Sequence, residues 1–202
     1  ELTESLNQPR STLARTMNTL IEYGLVEKKG PIYYCGAAFH NWAQSNRHSF
    51  WTQRYKNVLN DIAKQTGELV LLGILEGNGV VHLDFIESDH MVRVAPAPFT
   101  RHPLEFTALG KLALSRRPDL KKAIEQKELR DELEVIQQTG VSWNREVTVR
   151  GMIAMATPGF TNHPTEPMLA VAWPSNRFTQ KKGTLAHAAI KEALKKFPPS
   201  EK

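Results

Sequence analysis

The sequence predicts an α+β chain in two parts: a small helix–turn–helix with a hairpin wing, then a larger domain in which helices flank an antiparallel sheet. Three observations carry this. The stretch from Gln8 to Gly24, QPRSTLARTMNTLIEYG, has a helical start, a helical stop and two unlike faces. Two β-prone runs follow it across a Lys-Lys-Gly-Pro turn. Beyond residue 47 the apolar runs have strand length and arrive in hairpin order. They are grouped apart from the helical stretches, which argues against a doubly wound sheet.

Pro9 pre-sets a helical φ, and Ser11 is placed to cap free amides. Gly24 stands where a helix end favours left-handed geometry. Leu13, Met17, Leu20 and Ile21 recur at helical spacing and make one apolar stripe. Arg10, Ser11, Thr12, Arg15, Thr16 and Thr19 fall elsewhere, and such groups suit phosphates and base edges. An oily back with an Arg/Thr/Ser front is how a helix-turn-helix reads the major groove. Leu2 to Leu6 reads as the tail of a shorter helix, and Asn7-Gln8-Pro9 as a tight turn. Leu25 to Gly36 reads as the wing, with Lys28 and Lys29 near phosphates. The first helix of a winged helix-turn-helix is expected upstream of Glu1, so the domain is truncated at its start. The alternative is an amphipathic surface helix and hairpin in some other α+β domain.

From Ala37 to Gln65 the pattern is helical with a break near Ser45-Asn46, so the boundaries expected are 1–36 for the winged part, 37–46 for a linker helix and 47–202 for the larger domain. Phe50, Trp51, Tyr55, Val58, Leu59 and Ile62 form a stripe whose plainest role is core packing. Leu69 to Leu75 is a buried strand, Glu76-Gly77-Asn78-Gly79 a turn, and Val80 to Ile86 the return strand. Met91 to Ala95 alternates and is expected as a third strand; Pro96, Pro98 and Pro103 mark an extended loop. Thr107 caps a helix opening at TALGKLAL, and residues 118–139 hold one or two helices ending at Gly140. Val141 to Trp143 begins an extended segment, Met152 to Ala156 and Met168 to Trp173 are strands, and residues 178–197 close the chain as an amphipathic helix.

Composition sets bounds. In 202 residues, 41% hydrophobic and 23% charged, no apolar run approaches the ~20 residues of a membrane span. No leader for export is evident, and the single Cys35 fits a reducing compartment, so a cytoplasmic location is expected. The net charge of +5 suits a nucleic-acid partner, but its distribution does not single out the proposed reader. Residues 1–46 hold four basic and four acidic side chains, whereas residues 177–202 hold seven basic against two acidic, which reads as a solvated helix face.

With these elements placed, the chain resembles the isocitrate-lyase-regulator (IclR) family of bacterial transcription factors. The resemblance rests on QPRSTLARTMNTLIEYGLVEKKG, GELVLLGILEGNGVVHLDFIES, PLEFTALGKLAL, VRGMIAMATPGF and MLAVAWPSNRFT, in family order and spacing. It implies a GAF-like effector domain behind the winged helix, and homodimers or dimers of dimers that bind a double-stranded DNA operator and a small-molecule effector. The effector pocket would lie between the sheet and the TALGK helix. Family-type positions fall on Met91, Val94 and His102; on Thr107, Ala108, Leu109 and Gly110; and on Asn144, Met152, Ala154, Ala170, Ala172 and Trp173. Independently of the family, free amides at a helix start attract a carboxylate.

The departures from the family pattern narrow the expected effector. Ala170-Val171-Ala172-Trp173 stands where family members that bind small polar acids carry Ser-x-Ser-Gly. Asn144 stands where an acidic residue is common, and Ala154 where a Cys is. Each lost hydroxyl forfeits a hydrogen bond worth roughly 0.5–1.5 kcal/mol. An aromatic or mostly apolar acid or amide is therefore expected, with Trp173 offering a flat apolar surface or else packing in the core or at a dimer contact. No metal-ligand spacing joins the seven histidines, and no GxSxG, P-loop or GxGxxG occurs, so neither a cofactor nor enzyme chemistry is expected. The rival readings are a ligand-sensing dimerisation module without DNA binding and a small hydrolase using Cys35 or a His/Asp pair.

Overall fold

The computed structural model describes residues 2–39, 48–95 and 101–199. The chain divides into two compact units, Glu1–Phe50 and Trp51–Lys202. The boundary expected near residue 46, most of the linker helix at 37–46, and Pro96 and Pro98 lie outside the described residues.

In the first unit, α1 (Leu2–Ser5) is one turn, Asn7 takes a positive φ of 48°, and α2 (Arg10–Glu22) follows. Ser11 does not cap this helix. Pro9 is the boundary residue, extended at ψ 141°, and no side chain caps the start, so Ser11 is already the second residue of the helix. The helix stops where expected: Gly24 at φ 67° turns the chain, so that its amide reaches Ile21 O and the Leu25 amide reaches Leu20 O. Leu13, Met17, Leu20 and Ile21 are half-buried, while the Arg/Ser/Thr positions are exposed. β1 (Val26–Lys29) and β2 (Ile32–Cys35) form the antiparallel wing, turning at Gly30, φ 61°.

The second unit is a six-stranded antiparallel sheet between two layers of helix. α3 (His48–Thr66) leads in, followed by β3 (Leu69–Glu76), β4 (Gly79–Ile86) and the short β5 (Arg101–Pro103). Then come α4 (Ala108–Ser115), α5 (Pro118–Lys121) and α6 (Lys127–Thr139). β6 (Ser142–Arg145), β7 (Met152–Pro158), β8 (Met168–Pro174) and α7 (Gln180–Lys196) complete the chain. The strand order is β5-β4-β3-β8-β7-β6.

One expected strand is displaced. Met91 to Ala95 forms no strand; Arg101–Pro103 pairs with the edge of β4 instead, His102 opposite Val80. The segment before it is held by side chains. Arg177 clasps the buried Glu68 carboxylate through two hydrogen bonds of 2.6 Å and donates a third to Val92 O at 2.9 Å. That clasp fixes a stretch whose alternation looks strand-like but whose backbone bonds go elsewhere.

Period-two alternation sorts the core into two faces. On β8, Met168, Ala170 and Ala172 join the cluster under α4 and α6, while Leu169, Val171 and Trp173 join the cluster under α3 and α7. β3 divides the same way, Leu69 and Leu71 against Val70 and Leu72. A bulge in the β3–β4 pairing, where Leu72 faces Asp84 but Gly73 faces His82, resets the alternation of β4. α4 settles close to the sheet because Gly73 has no side chain; a Cβ there would stand 2.8 Å from Leu109 Cδ1.

Candidate functional site

Between the α4 face of the sheet and the start of α4 lies a cavity of about 670 Å³, well inside the range of small-molecule sites. Its floor follows from strand register. Leu69, Ala172, Ala154 and Asn144 are paired partners across four consecutive strands, and all four line it. Two alanines in the middle of that row leave the depth that larger residues would fill. Ala170, Leu71 and Met152 extend the floor, and Ala108 and Leu109 at the α4 N-terminus form the roof. Thr107 fixes that terminus: its Oγ1 accepts from the Gly110 amide at 2.9 Å and donates to Pro103 O at 3.2 Å.

Ten of the thirteen positions expected at an effector pocket line this cavity: Val94, His102, Thr107, Ala108, Leu109, Asn144, Met152, Ala154, Ala170 and Ala172. Three do not. Met91 is 97% exposed, because the segment carrying it is not part of the sheet. Gly110 is buried against Leu104 and the Thr107 hydroxyl, one residue past the rim. Trp173 is 1% exposed and lies in the opposite cluster, its ring edge-on to Phe178 at 5.3 Å. As the neighbour of Ala172 on one strand, it must face the other way.

Asn144 lines the cavity and also makes two hydrogen bonds of its own. Its Oδ1 accepts from the Val147 amide at 3.0 Å and its Nδ2 donates to Thr148 Oγ1 at 2.6 Å. It thereby holds the β6–β7 connection against the cavity, which Val147, Thr148 and Val149 also line. Residue-type patterning did not single out these three, nor Phe106 and His82. For His82 a signal was present: it stands two residues after Val80 on the same strand face. His82 and His102 stack at 4.3 Å with planes 25° apart on the cavity wall. Burial, then the neighbouring imidazole, pushes His82 from its ordinary 6.5 down to about 4, so it is neutral near pH 7.

On the first unit, Arg10, Ser11, Thr12, Arg15 and Thr16 are exposed along α2. Thr16 Oγ1 donates to Thr12 O at 3.1 Å, which leaves its lone pairs outward. In the wing, Lys28 Nζ lies 5.5 Å from the Tyr33 ring centre, while Lys29 Nζ lies 5.6 Å from that of Tyr34 and 3.6 Å from Glu27 Oε2. Adjacent on one strand, the two lysines project to opposite faces.

The chain thus joins a helix-and-wing unit to a helix-flanked antiparallel sheet that bears a cavity. Residues 51–126 match the family described as "Bacterial transcriptional regulator IclR C-terminal". The HTH-type transcriptional regulator TtgV of Pseudomonas putida is 28% identical over 205 residues, 92% of this chain and 77% of that protein. The HTH-type transcriptional regulator BhcR of Paracoccus denitrificans is 28% identical over 179 residues, 79% of this chain; the match spans 64% of that relative's length. Among solved structures, an IclR homolog from Microbacterium hydrocarbonoxydans complexed with 4-hydroxybenzoate superposes with a TM-score of 0.69 at 15% identity, covering 96% of this chain and 89% of that one. The first half of the second unit thus resembles the IclR C-terminal domain, and the relatives that span most of this chain are named as transcriptional regulators.

Proposed function

We propose that this chain is an effector-responsive transcriptional regulator. Its α2 helix enters the major groove of an operator through Arg10, Ser11, Thr12, Arg15 and Thr16, while Lys28 and Lys29 of the wing approach phosphates on either side. With its proton spent on Thr12 O, Thr16 accepts from a base amino group. The protein acts as a homodimer or dimer of dimers in the cytoplasm, and the effector changes operator affinity by favouring one arrangement of the paired readers.

The observation that carries this reading is the cavity, a small-residue floor beneath a helix start, on the same chain as an exposed Arg/Thr/Ser helix face. Its lining is largely apolar, so the effector is a mostly apolar acid or amide. The 4-hydroxybenzoate held by the Microbacterium homolog makes aromatic acids the first compounds to try. The aromatic surface they meet is Phe106 and the two imidazoles, not Trp173.

The test is a thermal-shift screen of benzoate-type acids against glyoxylate and pyruvate, followed by gel shifts with DNA upstream of the gene. Arg15→Ala should weaken operator binding at least tenfold and leave effector affinity unchanged. Stabilisation by the small polar acids alone would overturn the effector class. Operator binding unaffected by Arg15→Ala would overturn the placement of the reading face.

A further inference from the structure

We propose that the stacked His82–His102 pair is the polar anchor of the cavity, recognising a carboxylate on a mostly apolar ligand and taking up one proton as that ligand binds. The proposal rests on the reading of the cavity as an effector site and adds how the site selects charge.

Among the described residues no Asp, Glu, Lys or Arg lines the cavity. Its polar side chains are His82, His102, Thr107, Asn144 and Thr148. Thr107 is engaged at the helix start, and Asn144 and Thr148 are engaged with each other and with the Val147 amide. His82 Nδ1, by contrast, is buried with no hydrogen-bond partner among the described residues. A ligand group that engages this imidazole satisfies an atom the fold leaves unsatisfied.

The charge of the preferred ligand follows from the groups facing His82. Across β5 stand His102 and Arg101, and the Arg101 guanidinium is turned onto Glu76 O at 2.7 Å and Asn78 Oδ1 at 3.4 Å. The partner of His82 on β3 is Gly73, and the residues that line the cavity with it from β3, α4 and β8 are Leu69, Leu71, Ala108, Leu109, Ala170 and Ala172, none of which titrates. Among the described residues no carboxylate lines the cavity to compensate a proton, and two imidazolium rings 4.3 Å apart would repel. Burial and the neighbouring imidazole therefore hold His82 at about 4. A cationic ligand would find no counter-charge. A carboxylate supplies the missing one: a proton from solvent binds one imidazole, and an ion pair forms without any bond being broken. An adjacent opposite charge moves a histidine by about 1–3 units, which brings it toward neutrality.

Calorimetric titration of the full chain with 4-hydroxybenzoate and with its uncharged counterpart 4-hydroxybenzamide, at pH 6 and pH 8, tests this. If ligand raises the group from near 4 to near 7, the acid should bind about tenfold tighter at pH 6 than at pH 8, with proton uptake shown by buffers of different ionisation enthalpy. The amide should bind equally at both. His82→Gln and His102→Gln should each reduce the acid's pH dependence to less than twofold. Proton NMR of the histidine rings gives the same information without variants: the acid should raise the titration midpoint of the pair. Acid binding that is indifferent to pH, a pH dependence that survives either variant, or ring signals unmoved by bound acid would each overturn the proposal. Binding of the amide alone would also overturn it while keeping the cavity as an effector site; binding of neither would overturn both readings.

Discussion

Ala172 and Trp173 are neighbours on β8 with opposite duties, and substituting each in turn tests the two-faced sheet. Trp173 is 1% exposed and packs edge-on against Phe178 in the cluster that holds Tyr55, Leu59, Met155 and Ile190. Truncating a buried Trp to Ala costs about 3–5 kcal/mol, of which the ring pair itself supplies about 0.5–1.5 kcal/mol. For a unit of this size each kcal/mol moves the melting temperature by about 2–4 °C, so Trp173→Ala should lower it by roughly 6–20 °C. Trp173→Phe, which keeps a ring, should lose less than half of that. Neither change reaches the cavity, so the dissociation constant of a cavity ligand should stay within about twofold, a difference below 0.5 kcal/mol. Ala172→Leu should do the reverse. Its side chain projects into the cavity beside Ala154, so stability should change little while ligand binding weakens at least tenfold, about 1.4 kcal/mol. The assay is a thermal melt of each variant with and without 4-hydroxybenzoate, backed by calorimetry. Should Trp173→Ala abolish binding and leave the melting temperature unmoved, the tryptophan faces the cavity and the assignment of sheet faces fails.

Three further outcomes follow from the same structure. Asn144→Ala removes two hydrogen bonds from a residue 1% exposed, at a cost of about 1–3 kcal/mol, and should speed amide exchange at Val147 relative to the strands; unchanged exchange would show that Asn144 does not hold the β6–β7 connection. Because His82 falls from 6.5 unfolded to about 4 folded, its contribution is fully present above pH 6.5 and is lost as pH drops toward 4, by about 3 kcal/mol in all. His82→Gln should remove that share of the acid sensitivity in denaturant midpoints measured between pH 7 and pH 4. Glu68→Gln breaks a pair in which the carboxylate is 2% exposed and the Arg177 guanidinium also holds Val92 O; a loss of about 3–5 kcal/mol in urea titrations is expected, and less than about 1 kcal/mol would contradict it.

Much of the site was legible because it repeats local rules. The alanines at 154, 170 and 172, the Thr107 cap and the α4 start are fixed by period-two alternation and by capping, so they converge wherever that sheet and helix pack. Met91 was misplaced because alternation measures which residues suit a strand, not which edge is free to pair. The edge of β4 is taken by Arg101–Pro103, and the Arg177 that clasps Glu68 holds Val92 O instead. His82 went unassigned because its meaning depends on His102, twenty positions away, arriving in stacking distance. Ser11 missed its capping role because Pro9 set the helix boundary two residues earlier than the hydroxyl required.

The sequence by itself determined the elements, their order and their two-sided character, since these follow from spacing, turn residues and the alternation of side chains along a strand. It also determined which relatives the chain would have. Only the tertiary structure decided which face of the sheet carries the cavity, that Trp173 packs away from it, that Asn144 fastens a connection, and that two histidines meet on one wall. Those are relations between segments remote in sequence, set by strand register and helix packing, and no local pattern encodes them.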